Sequence, residues 1–132
     1  MKLTLSILAM SFAFLNSNNV LADDATRFAP LTEIEIADGR NVVATEEGKV
    51  VYTFDVDDEN ISNCYDACAK TWPPVLIKDA KALKAPMGAS VRKDGSLQLT
   101  LEGQPLYFFK GDAKSGDIKG DGLGNVWHII VD

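Results

Sequence analysis

Gly48-Lys49-Val50-Val51-Tyr52-Thr53-Phe54-Asp55-Val56-Asp57 returns, at an offset of 55 residues, as Gly103-Gln104-Pro105-Leu106-Tyr107-Phe108-Phe109-Lys110-Gly111-Asp112. The same offset carries Trp72 onto Trp127 without a gap. Gly, Tyr, Phe, Asp and Trp agreeing at one shift mark a duplicated unit, and that duplication governs how every other motif is read.

Outward from this stretch the chain reads as strands and turns. Thr32 to Ile36 alternates Ile34 and Ile36 with Glu33 and Glu35, the period of a half-buried strand. Asp38-Gly39 predicts a turn, Asn41 to Thr45 a second strand, and Glu46 to Lys49 a turn into a third strand, Val50 to Asp55. The second unit repeats the meander: Ser90 to Lys93, a turn at Asp94-Gly95, Leu97 to Leu101, a turn at Glu102-Gly103, and Leu106 to Phe109. Trp127 to Val131 closes it as a final strand, which bounds the repeats at about residues 38–78 and 90–132. Asn63 to Thr71 predicts a short helix, capped by Ser62 or Asn63 and stopped by Pro73, because the residue before a proline avoids the helical region. Ala80 to Lys84 predicts one further helical turn, and Lys110 to Asn125 a glycine-rich loop of functional length. The expected architecture is one all-β domain, a small sandwich or barrel of two duplicated β-meander units, with one short helix bearing Cys64 and Cys68.

The first residues add a compartment. Lys2, the apolar run Leu3 to Leu15 and the small residues ending at Ala22 read as a secretory signal, residues 1–22, leaving an exported domain of residues 23–132. The apolar run is too short for a membrane span, which takes roughly 20 residues. No cysteine follows Ala22, so a lipid anchor is not expected, and the expected location is periplasmic or secreted. Residues 23–132 carry 12 bases and 19 acids, a net charge of −7, which argues against a nucleic-acid partner. The charge is uneven. Asp23 to Asp66 holds twelve acids and three bases, and Ala67 to Asp132 seven acids and nine bases.

With these motifs in place the chain resembles the bacterial secreted-repeat proteins of unknown function, often lipoproteins, whose paired units carry a Tyr-x4-Asp signature. Tyr52 with Asp57 and Tyr107 with Asp112 match that signature, as do Cys64-x3-Cys68-Ala69-x2-Trp72-Pro73-Pro74 and the glycine loop leading to Trp127-His128. The resemblance spans about Gly39 to Val131 and implies an exported β-rich fold. The family carries no established activity, and this chain lacks its lipoprotein cysteine.

Chemistry centres on few residues. Two cysteines alone in a small exported domain point to a structural disulfide, Cys64–Cys68. A four-residue spacing fits poorly inside a regular helix, so distortion is expected there. Two alternatives stand beside it: a soft-metal site for copper built from Cys64, Cys68 and the lone His128, and an exchangeable thiol pair in a redox or oxidant-scavenging partner. Met87 offers a thioether but reads as a gap filler in a loop. Asp55 to Asn60, and Asp112, Asp117 and Asp121, resemble calcium loops only loosely and read as solvated turns. Tyr52 and Tyr107, each five residues before an aspartate, suit phenol–carboxylate hydrogen bonds that anchor turns. The sequence shows no nucleophile with a recognisable base, no phosphate loop and no haem attachment motif. It therefore reads as an exported non-enzymatic binding or interaction module, with an unknown exported protein or small ligand as partner.

Overall fold

The computed structural model describes residues 26–132, so the expected signal segment lies outside the described residues. Strands β1 (Thr32–Glu35) and β2 (Asn41–Ala44) form a hairpin in which Thr32 faces Ala44 and Glu35 faces Asn41. Its turn is made at Gly39, whose φ of 93° suits a residue without a Cβ. The second unit repeats the hairpin with β5 (Met87–Val91) and β6 (Leu97–Leu101), antiparallel, turning at Gly95 with φ 90°.

Strand β3 (Tyr52–Phe54) does not pair within its own unit. It lies antiparallel to β8 (Trp127–Ile129), the last strand of the other unit, with Tyr52 opposite Ile129 and Phe54 opposite Trp127. The equivalent pairing elsewhere would set Leu106 to Phe109 against Trp72-Pro73-Pro74. There the expected strand is reduced to bridges: Tyr107 pairs with Pro74, and the Phe108 N–H donates to the Pro73 carbonyl at 2.7 Å. Prolines supply no N–H, so a ladder cannot form on that side. Short strands β4 (Leu76–Ile77) and β7 (Gln104–Pro105) flank β6 instead.

Where the units meet, the Tyr52 N–H donates to the Tyr107 carbonyl at 2.8 Å and the Tyr107 N–H donates back at 3.0 Å. This reciprocal pair sits where a two-fold axis relating the units would pass. Neighbouring residues serve two cores. Val42, Ala44, Val50 and Tyr52 face an aromatic core, while Val43 and Val51 face an aliphatic one with Leu99, Leu101 and Leu106. Covering both faces explains why Val42-Val43-Ala44 and Val50-Val51-Tyr52 are continuous apolar runs rather than alternating ones.

Among the described residues the only α-helix is α1 (Ala67–Thr71), shorter than predicted. It begins after Asp66, whose φ of 55° turns the chain, and no side chain caps it. Cys64 therefore stands before the helix and Cys68 within it, which lets the four-residue spacing be bridged. Ala80 to Lys84 makes a turn and no helix; the glycine-rich loop contains one 3₁₀ turn, Leu123–Asn125. Met87 is a buried residue of β5 and not a loop filler. The architecture is antiparallel β with one short helix. Its small sheets do not close into a barrel among the described residues.

Candidate functional site: a crossed lock and two twin clefts

The phenol–carboxylate pairs form, but each crosses to the other unit. The Tyr52 hydroxyl donates to Asp112 Oδ2 at 2.7 Å, and the Tyr107 hydroxyl donates to Asp57 Oδ2 at 2.8 Å. Each aspartate gives its other oxygen to its own loop: the Asn63 N–H donates to Asp57 Oδ1 at 2.7 Å and the Lys119 N–H to Asp112 Oδ1 at 2.9 Å. Each carboxylate thus ties its own loop to the other unit's strand. Burial first, and then the bond to Asp112, pushes the Tyr52 hydroxyl far above the usual phenol range. Burial does the same to Tyr107, opposed by its hydrogen bond with Ser62 and assisted by Asp57. Burial also raises the Asp57 carboxyl, against the bonds from Asn63 and Tyr107 and the Arg92 charge.

The six signature aromatics obey the same exchange. Trp72 and Trp127 lie parallel within 3°, their ring centroids 3.8 Å apart. Phe54 stacks on the Trp of the other unit at 4.0 Å, and Phe109 lies against Trp72 at 4.4 Å, tilted by 31°. Each tyrosine meets the Trp of its own unit edge-on, Tyr52 with Trp72 at 5.1 Å and Tyr107 with Trp127 at 5.2 Å. Swapping the unit labels returns the same contacts.

Cys64 and Cys68 are joined, S–S 2.05 Å, and both pack on this aromatic core. The bridge takes both sulfurs out of the ligand set expected for copper. His128 is turned elsewhere: its Nε2 lies 2.8 Å from Asp55 Oδ2 on the surface. The loosely calcium-like acids act as turn locks, Asp117 accepting from the N–H groups of Ala113 and Lys114, and Asp121 from that of Ile129. Among the described residues no group of three or more His, Cys, Asp or Glu side chains is placed to hold a metal ion.

Sequence reasoning missed Arg92 and Gln98 and assigned Ser62 to a helix cap. Arg92 is buried, 6% exposed, and donates to Ser62 Oγ (3.0 Å), Gln98 Oε1 (2.7 Å) and the Cys64 carbonyl (2.8 Å). Its guanidinium also lies 4.2 Å from the Tyr65 ring centroid. Ser62 Oγ in turn meets the Tyr107 hydroxyl at 2.6 Å, so Ser62 serves this network and not a helix cap. A signal was present: Ser90 and Arg92 alternate with Val91, and the structure buries the polar pair and exposes the valine at 69%.

The two-fold relation also generates a pair of clefts. One, about 420 Å³, opens between Phe54 and the β6–β7 turn and is lined by the carboxylates of Asp55, Asp57, Asp58, Glu59 and Glu102. Its twin, about 240 Å³, opens beside Phe109 and carries Glu47, Lys49, Asp112 and Lys114. Phe54 corresponds to Phe109, Asp57 to Asp112 and Glu102 to Glu47, whereas Asp55, Asp58, Glu59 and Gln104 correspond to Lys110, Ala113, Lys114 and Lys49. The Asn60 N–H donates to the Gly103 carbonyl at 2.7 Å, which joins the walls of the acidic cleft.

No helix among the described residues is long and apolar enough to cross a membrane. Curated proteins and solved structures yield no match to the chain. Residues 33–76 match the family described as a secreted repeat of unknown function, and residues 88–131 match it again. The duplicated signature, locked across the two units by Tyr52, Asp57, Tyr107 and Asp112, is that repeat, and the chain belongs to this secreted-repeat family.

Proposed function

We propose that the protein is an exported, non-enzymatic binding module, periplasmic or secreted, that takes a cationic partner in the cleft lined by Asp55, Asp58, Glu59 and Glu102. The disulfide and the family's description as secreted support the compartment. One observation carries the binding site: the chain holds its own control. Side chains that both units share, such as Tyr52 and Tyr107 or Asp57 and Asp112, serve the lock that builds the fold. The charges at Asp55, Asp58 and Glu59 have no counterpart at the equivalent positions, Lys110, Ala113 and Lys114, so the repeated lock does not require them; Asp55 meets His128 and Asp58 accepts from Asn63 Nδ2, while Glu59 lines the cleft. Five acidic residues line this cleft; with Asp57 committed to the lock and Asp55 beside His128, the charges of Asp58, Glu59 and Glu102 raise the local concentration of a cation and speed its encounter.

An oligolysine peptide, titrated into the full chain at low salt and followed by heteronuclear NMR, tests this reading. Shifts should saturate and cluster around Phe54, Glu59 and Gly103, and the affinity should fall as salt screens the charges. Asp58→Asn with Glu59→Gln should weaken binding about tenfold, since exposed charge pairs contribute modestly each. Lys110→Ala with Lys114→Ala should not weaken it. Unsaturable shifts, or equal affinity in the acid variant, would refute the cleft as the site.

A further inference from the structure

The clefts and the buried rings form one continuous path. Phe54 lines the acidic cleft and Phe109 lines its twin. Between them stand Trp127 and Trp72, at successive centroid steps of 4.0, 3.8 and 4.4 Å. Ring quadrupoles favour offset or edge-on arrangements over a face-to-face sandwich, yet the two indoles lie within 3° of parallel at 3.8 Å. Indole gives up one electron more readily than most side chains, and a parallel pair shares the charge that remains. Edge-on to each indole stands a phenol whose O–H already points at a carboxylate oxygen, at 2.7 and 2.8 Å. That is the distance over which a positioned base takes a proton.

We propose that this assembly is a one-electron relay joining the two clefts, fed by a cationic one-electron oxidant docked in the acidic cleft. The oxidant gains an electron, and the Trp127–Trp72 pair becomes a radical cation. Tyr107 or Tyr52 returns an electron to the indole pair and passes its hydroxyl proton to Asp57 or Asp112. A neutral phenoxyl radical and a carboxylic acid result, with charge and atoms conserved. Burial raises both phenols further above the usual range, so each hydroxyl carries its proton when the electron leaves. Where the oxidant docks rests on the reading of the acidic cleft; the internal transfer does not.

Flash photolysis tests both parts on the full, disulfide-bonded chain. Photogenerated tris(bipyridine)ruthenium(III), a cationic one-electron oxidant, is mixed with the protein and the radicals are followed by transient absorption and freeze-quench electron paramagnetic resonance. An indole radical should appear first and convert to phenoxyl. Tyr52→Phe with Tyr107→Phe should abolish that conversion, whereas Tyr65→Phe should leave it intact. In the wild-type chain deuterated water should slow the conversion at least twofold, a readout that needs no variant to fold. A conversion that survives the double variant, disappears in Tyr65→Phe, or ignores deuterium would overturn the relay. Asp58→Asn with Glu59→Gln should slow the bimolecular oxidation about tenfold and leave the internal conversion unchanged. An unchanged bimolecular rate would overturn the docking site alone.

Discussion

Removing the Tyr52 hydroxyl separates a crossed lock from a local one. Tyr52→Phe deletes the bond to Asp112 Oδ2 and also the acceptor of the Gly120 N–H, which reaches the phenol oxygen at 3.1 Å. A hydrogen bond to a charged group contributes about 1.5–3 kcal/mol, and an orphaned buried donor costs about 1–3 kcal/mol before relaxation. The single variant should therefore lose roughly 3 kcal/mol. Asp112→Ala removes the same phenol bond from the other end, so in a double-mutant cycle the pair should couple by about 1.5–3 kcal/mol. The Tyr52 hydroxyl and the Asp57 carboxylate share no hydrogen-bond partner despite their five-residue spacing, and their cycle should close within about 0.5 kcal/mol. The assay is urea unfolding followed by tryptophan fluorescence. With a slope of about 1–3 kcal/mol per molar, a loss of roughly 3 kcal/mol moves the midpoint by about 1–3 M. Coupling of Tyr52 to Asp57 as large as to Asp112 would refute the exchange between units.

A Cβ on Gly120 would lie 2.5 Å from Trp72 Cη2 and 2.9 Å from Phe109 Cγ, so Gly120→Ala should cost about 1–3 kcal/mol by overpacking; an unchanged melting temperature would contradict this. Burial raises Asp57 above 3.8, so the folded chain holds that proton more tightly than the unfolded one. Its contribution to stability is fully present below pH 3.8 and is lost as pH rises through the folded pKa, and Asp57→Asn should remove that slope from unfolding free energies measured across acid pH. Joining Cys64 to Cys68 closes a short loop worth about 2 kcal/mol in chain entropy. Replacing both by Ala should cost at least about that much in urea unfolding, and a variant as stable as the parent would show that the bridge adds nothing.

Much of the fold was legible because it is local. The hairpins needed only alternation and Asp-Gly turns: both turns appear where expected, while the strand expected at Ser90 to Lys93 runs instead over Met87–Val91. What failed depended on partners distant in sequence. Leu106 to Phe109 has the composition of a strand, but its neighbour across the axis is Trp72-Pro73-Pro74, where the prolines have no N–H and that of Trp72 is spent on the Cys68 carbonyl. The helix was overextended because Ser62 and Asn63 look like caps. Ser62 is taken instead by Arg92 and Tyr107, and Asn63 by Asp57. Arg92 escaped notice since nothing in the local pattern distinguishes a buried arginine from a surface one, apart from an inverted alternation with Val91.

The spacing of Tyr and Asp shows most plainly what a single unit cannot encode. Five residues separate Tyr52 from Asp57, and the natural reading joins them; the structure spends each on the other unit. One unit alone would leave a buried phenol without its carboxylate, a Trp without its stacked partner and strand β3 without β8. Each deficit is filled by the same residue of the twin, so two copies close a set of contacts that one copy leaves open. This gives a physical reason for the signature to occur in pairs, and it supplies the means of separating structure from function within one chain. Residues the axis maps onto their like hold the fold; Asp55, which it maps onto Lys110, meets His128, and Asp58 and Glu59, which it maps onto an alanine and a lysine, are the acids that face a partner.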